Sequence, residues 1–192
     1  MNLQDPVRAV ADAVALYRSD GDVARLLERL GAVTASADAG TLAGAAAPFL
    51  DIPEVAGPIY EAIVAQRPDD ARALVILANA YWLAGRGPEG VGTLASRAME
   101  ADPANRGAWH LWALTAAYPR ERMLRWKQVT ERFADDDLAR AAMADNAASV
   151  ASEDDDPVAL KLAVDTYRDL LARSQNGAQR AALEAALRTI DR

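Results

Sequence analysis

Apolar residues recur along this chain at spacings of three and four, and almost every such run is bounded by a residue that starts or stops a helix. Asp5-Pro6 supplies a capping carboxylate and a proline at the first helical position, where its missing N–H costs nothing; Gly21 closes that segment. Asp22 caps a second helix through Leu26, Leu27 and Leu30, stopped by Gly31. The small-residue stretch from Thr34 to Leu50, with Pro48 inside it, predicts a short helix ending near Phe49. Asp51-Ile52-Pro53-Glu54 restarts helix, with Ile59, Tyr60, Ile63 and Val64 as its buried stripe and Arg67-Pro68 as its stop.

From Asp70 onward the pattern is strongest. One helix runs through Leu74, Leu77, Ala78 and Tyr81 to Gly85, and the next from Pro88-Glu89 through Val91, Leu94, Ala95 and Ala98 to Asp102-Pro103. Asn105 opens a third through Trp109, Trp112 and Ala116 to Tyr118, and Pro119 a fourth through Leu124, Trp126, Val129 and Phe133. Two more follow the acidic turns Asp135–Asp137 and Glu153–Asp156: the first carries Leu138, Met143 and Val150, the second Leu160, Val164, Tyr167 and Leu171. The last follows Asn176-Gly177, with Leu183, Leu187 and Ile190 on one face. About eleven helices joined by short turns, with no strand pattern, predict an all-α chain of antiparallel neighbours.

Composition agrees and removes whole classes of function. Of 192 residues 52% are hydrophobic and only 6% aromatic, while alanine alone accounts for 45, which favours helix because alanine loses no side-chain entropy there. Arginine makes up 19 of the 21 basic residues, so part of the alanine excess reflects a GC-rich, bacterial-type composition. A net charge of −7 repels phosphate backbones and excludes a nucleic-acid partner unless the arginines cluster, which they do not. Cysteine is absent, and with it disulfides, thiolate metal sites and cysteine nucleophiles. Met1–Pro6 has no basic leader, and no stretch approaches the roughly 20 apolar residues of a membrane span, so a cytoplasmic protein without membrane insertion is expected.

A repeat organises the helices. Pro68 and Pro103 lie 35 residues apart, each closing a similar phrase, Tyr60-Glu61-Ala62-Ile63-Val64-Ala65-Gln66-Arg67-Pro68 and Ala95-Ser96-Arg97-Ala98-Met99-Glu100-Ala101-Asp102-Pro103. A related phrase returns at Tyr167-Arg168-Asp169-Leu170-Leu171-Ala172. Such a period on paired helices signals a solenoid, because one pair cannot bury both of its faces. Leu77-Ala78-Asn79-Ala80-Tyr81-Trp82, then Gly85, Leu94, Ala98 and Asp102-Pro103, resembles the tetratricopeptide repeat. There Ala78 would let paired helices approach and Tyr81 would fill the space toward the next unit. Anchored on Tyr60, Ala95, Trp126 and Tyr167, the spacings are 35, 31 and 41, so only the centre is regular.

The resemblance is closest over residues 53 to 118, continues to 174 and is faint before 50. It implies an α-α superhelix, one domain over residues 1–192: an N-terminal hairpin at 6–30, degenerate helix pairs over 34–174, and a capping helix at 177–191. Another helical-hairpin array is the alternative.

Little in the sequence points to catalysis. His110 is the only histidine, so common multi-histidine metal sites and a serine–histidine constellation are missing, and neither metal nor cofactor is expected. The acidic runs lack the spacing and glycine of a calcium loop and precede helices, where carboxylates cap free N–H groups. Trp109, Trp112 and Trp126 read as core; Trp82, adjacent to the packed Tyr81, points about 100° away from it.

In the tetratricopeptide family the first helix of each pair lines the inner concave surface. That resemblance puts Arg72, Val75, Asn79, Trp82 and Leu83 on it, with His110, Leu114 and Tyr118 from the next pair. Asn79 coincides with the asparagine that family members use to hold a bound peptide. Val75 stands where a carboxylate-clamping lysine is expected and Leu114 where an asparagine is, so an acidic chaperone tail is disfavoured. The implied function is a non-enzymatic protein-interaction scaffold binding a basic or amphipathic peptide or protein segment. Two further classes stand beside it: a self-associating homo-oligomer or fixed structural subunit, and an all-helical enzyme or small-ligand binder.

Overall fold

A computed structural model describes residues 5–190. Eleven α-helices occur among them, with one 3-10 turn and no strand. They are α1 (Pro6–Asp20), α2 (Val23–Thr34), α3 (Ala39–Ala46) followed by the 3-10 turn Ala47–Phe49, α4 (Pro53–Gln66), α5 (Ala71–Leu83) and α6 (Pro88–Ala101). The chain continues with α7 (Arg106–Leu114), α8 (Pro119–Arg132), α9 (Asp137–Asp154), α10 (Pro157–Arg173) and α11 (Gly177–Ile190). Residues 1–4 of the leader reading and residue 191 of the capping-helix reading lie outside the described residues. None of these helices is long and apolar enough to cross a membrane.

The punctuation works through side-chain caps. Asp5 accepts from the Arg8 N–H, Asp22 from Arg25, Asp70 from Ala73 and Asp136 from Ala139, each at 3.0–3.2 Å, so one orphan donor of each helix start is satisfied. Asp38, unrecognised in the sequence, caps α3 through the Gly40 and Thr41 N–H groups. Gly21 adopts the left-handed φ of +70° that ends α1, but Gly31 does not leave the helical region and α2 runs three residues past it. Buried Val33 lies on that extension, so packing carries the helix through the glycine. At the other end of the repeat region, α7 stops at Leu114 rather than at Tyr118, with Pro119 already opening α8.

Two compact units divide after Leu111. In the first, α1 packs on α2 and α3, α2 and α3 pack on α4, and α5 packs on both α4 and α6. Its core is Val10, Val14, Leu26, Leu30, Leu42, Ile59, Ile63 and Leu74, joined by alanines at the closest approaches. In the second, α8, α9, α10 and α11 each pack on the helix before or after. Met123, Trp126, Val129, Met143, Val150, Tyr167 and Leu170 fill it. Arg122 Nε donates to Asn146 at 2.9 Å and Tyr167 Oη to Asp145 at 2.6 Å, tying α8 and α10 to α9.

Tyr60, Ala95, Trp126 and Tyr167 are all buried, one on each of α4, α6, α8 and α10. The uneven spacing between these anchors comes from the intervening helices: α5 has 13 residues, α7 only 9 and α9 as many as 18. A repeat that keeps its second helix while the first varies in length loses its sequence period, although α5 still pairs with α6 and α9 with α10.

Candidate functional site

Helix α5 carries the candidate surface in the first unit. Arg72, Asn79, Trp82 and Leu83 are exposed along it; Arg72 and Asn79 are seven residues apart, and Trp82 and Leu83 follow Asn79 by three and four, which puts all four on one side of the helix. From Arg72 to Trp82 the stripe is about 15 Å long. Trp82 is 40% and Leu83 53% exposed, a large apolar step at the C-terminal end of a stripe that begins with a cation.

The rotation of α5 is fixed from its other side. Leu74, Leu77 and Ala78 are buried, and Tyr81 Oη donates to Glu61 Oε1 of α4 at 2.8 Å. Arg86 Nη1 reaches the same carboxylate oxygen at 2.9 Å while its guanidinium stacks 4.4 Å from the centre of the Tyr81 ring. Burial first, and then the Glu61 carboxylate, raises the Tyr81 phenol above its ordinary pKa and keeps it a donor. A Cβ on Gly90 of α6 would lie 3.6 Å from the ring, so Tyr81 sits against α4 and against the partner helix of its own pair. That differs from filling space toward the following unit. The C-terminus of α5 is then locked by Gly85 at φ +67°, whose N–H donates to Trp82 O while the Arg86 N–H donates to Tyr81 O.

Val75 does not belong to the open surface. It is half-buried, and a Cβ on Gly107 would come within 3.3 Å of its Cγ1, so the first turn of α7 lies directly on it. His110 is half-buried one turn further along the same face of α7 as Gly107. Leu114 and Tyr118 fall in the second unit: Leu114 is half-buried at the end of α7, and Tyr118 is 73% exposed in the turn before α8, off the helix to which the sequence assigned it. Arg72, Asn79, Trp82 and Leu83 are therefore the predicted residues that share one open stripe.

Among the other tryptophans Trp126 alone is core. Trp109 and Trp112 are half-buried because Ala108, Leu111 and Ala113 make the close contacts of α7, leaving the indoles to polar partners. Trp109 Nε1 donates to Pro103 O at 3.0 Å, and Arg125 stacks 4.7 Å from the Trp112 ring. Sequence reasoning also passed over Glu61 and Arg86, which set the stripe's direction. Their signals were the arginine directly after the α5 stop glycine and the acid inside the repeated Tyr60-Glu61 phrase.

No family model matches the chain, and no curated protein matches it. Solved structures do. A crystal structure of MamA protein superposes with a TM-score of 0.61 at 14% identity, covering 90% of this chain and 98% of that one. A thermophilic TPR protein of Thermus thermophilus, TTC0263, superposes at 0.60 with 20% identity over 96% of this chain and 98% of that one. The fold is tetratricopeptide-like. It is an all-α fold of the α-α superhelix class, and α5–α6 is the tetratricopeptide-like pair that keeps the most of the repeat pattern, from Ala78 and Tyr81 through Gly85 to Ala98. A second MamA structure gives the same answer, at a TM-score of 0.58 and 15% identity over 80% of this chain and 93% of that one.

Proposed function

We propose that the protein is a non-enzymatic, cytoplasmic interaction scaffold that holds a peptide or protein segment on the exposed stripe of α5. The observation that carries this reading is the exposure of Trp82 and Leu83 beside Asn79, on a helix whose opposite side is firmly packed. A rigid aromatic that is already ordered loses little entropy on binding and contributes large contact area, which is why such residues dominate interfaces. Asn79 offers both a donor and an acceptor for the backbone of an extended partner, and Arg72 a cation at the far end. An amphipathic segment with an apolar side chain for Trp82 fits this set better than an acidic tail, since Val75 supplies no charge and is covered by α7.

Affinity capture from the native lysate, comparing wild type with Trp82→Ala and Asn79→Ala by quantitative mass spectrometry, tests the proposal. Proteins enriched by the wild type and lost from both variants support it; an unchanged set overturns it. Self-association is the second reading, favoured by exposed Val7, Val23 and Leu27 on α1 and α2. Light scattering across a concentration series decides that one, because a monomer at every concentration removes it.

A further inference from the structure

Where α9 ends and α10 begins, the chain turns through Glu153–Asp156 beside the last turn of α11, and the three segments bound a cleft of about 790 Å³. That lies within the roughly 300–1,000 Å³ common for pockets that bury a drug-sized ligand. Ala148, Pro157, Leu160 and Ile190 give it apolar walls, with Leu160 39% exposed. Glu153 and Asp155 stand on the same cleft.

The acids of this turn fall into two sets. Asp156 caps α10 through the Val158 and Ala159 N–H groups, and its other oxygen accepts from Arg120 Nη2 at 2.9 Å; Asp154 accepts from the same nitrogen at 2.8 Å. Those two are engaged in holding the turn to α8. Glu153 and Asp155 make no ion pair among the described residues and stand exposed at the edge of an apolar hollow. No group of three His, Cys, Asp or Glu side chains able to hold a metal ion occurs among the described residues. The chain as a whole carries −7, which adds a long-range attraction for cations and a repulsion for acidic segments.

We propose that this cleft is a docking site, separate from the α5 stripe, for a basic peptide segment in which arginine or lysine flanks an apolar residue. The apolar side chain covers Leu160 and Ile190, and the flanking cations meet Glu153 and Asp155. Charge complementarity sets which segments approach and in which register, and burial of the apolar residue holds them.

The test is a titration of the full chain, followed by amide NMR shifts, with the peptide acetyl-Arg-Arg-Leu-Arg-Arg-amide. Saturable shifts confined to residues 148–160 and to Thr189 and Ile190 are expected. The double variant Glu153→Gln/Asp155→Asn, in which asparagine still tolerates the left-handed φ of +51° at residue 155, should bind about fivefold more weakly with an unchanged melting curve. Serine in place of the peptide's leucine should weaken binding similarly, and Trp82→Ala should not affect it. The proposal is overturned if the shifts do not saturate or map elsewhere, or if spermidine binds as tightly as the peptide. It is equally overturned if Asp12→Asn/Glu131→Gln, which removes the same charge far along the chain, weakens binding as much.

Discussion

Because Tyr81 is fixed twice, by its hydroxyl on Glu61 and by Arg86 across its ring, the next residue has no freedom to turn inward. Trp82→Ala should therefore leave thermal stability within about 0.5 kcal/mol of wild type while weakening partner binding about thirtyfold, a separation that calorimetric melting and a binding titration read independently. Tyr167 provides the buried counterpart. It is core, its hydroxyl donates to Asp145, and burial together with that carboxylate holds its phenol well above the ordinary tyrosine range. Since the folded pKa lies above the unfolded one, the contribution is fully present below about pH 10 and is lost as pH rises toward the folded value. Tyr167→Phe should cost about 1–2 kcal/mol at neutral pH and flatten the alkaline limb of a pH–stability curve.

Among the elements, the helix starts carry the acid side of the same curve. Backbone N–H groups hold the Asp22, Asp38 and Asp156 carboxylates below their ordinary pKa, those of Arg25, Thr41 and Ala159 contributing most. Stability from these caps is present above about pH 4 and disappears as pH falls through the depressed folded values, so melting temperature should drop below pH 4 and the drop should be smaller in Asp38→Ala. Asp136, which is buried, should matter more: Asp136→Ala is expected to lower the melting temperature by roughly 2–8 °C. Truncation after Arg173 removes α11, whose Leu183 is buried in the unit that α10 shares, and should lower both solubility and melting temperature.

These caps are also why the helices could be read so well from sequence: Asp5-Pro6, Asp70 and Asp156-Pro157 are chemical signals that need no tertiary context. Which face each helix buries was less legible. Leu27, Leu124, Leu138 and Leu160 continue apolar patterns yet are exposed, while Ala139, Ala144, Ala147 and Ala163 are fully buried. In alanine-rich helices the closest contact is made by the smallest residue, and a large apolar residue is left at the rim, where periodicity alone gives it no different signature. The α5 stripe was legible for the opposite reason. Leu74, Leu77, Ala78 and Tyr81 define a clear packed side, so its complement followed, whereas Val75 needed Gly107 on another helix to be recognised as covered.

On the scale of the whole molecule, the acidic balance and the fold act in the same direction. The basic residues gather most densely on α8, where Arg120 is paired with Asp154 and Asp156 and Arg125 with Glu121. With −7 formal charges overall, retention of a DNA duplex in a gel shift should be absent even at low salt, and measurable retention would contradict the charge argument. The placement of the four tryptophans has a practical consequence. All lie between residues 82 and 126, so selectively excited tryptophan emission has no reporter in the N-terminal hairpin or beyond α8. The indole of Trp126 is sealed in the core and that of Trp82 is wet, so occupation of the α5 stripe should appear as a blue shift of the Trp82 contribution alone, whereas a ligand on the α9–α11 cleft should be optically silent. A chain without cysteine also accepts one introduced thiol as a unique attachment point. A dye placed near Thr189 and the native Trp82 would let the two surfaces be watched separately in the same tube.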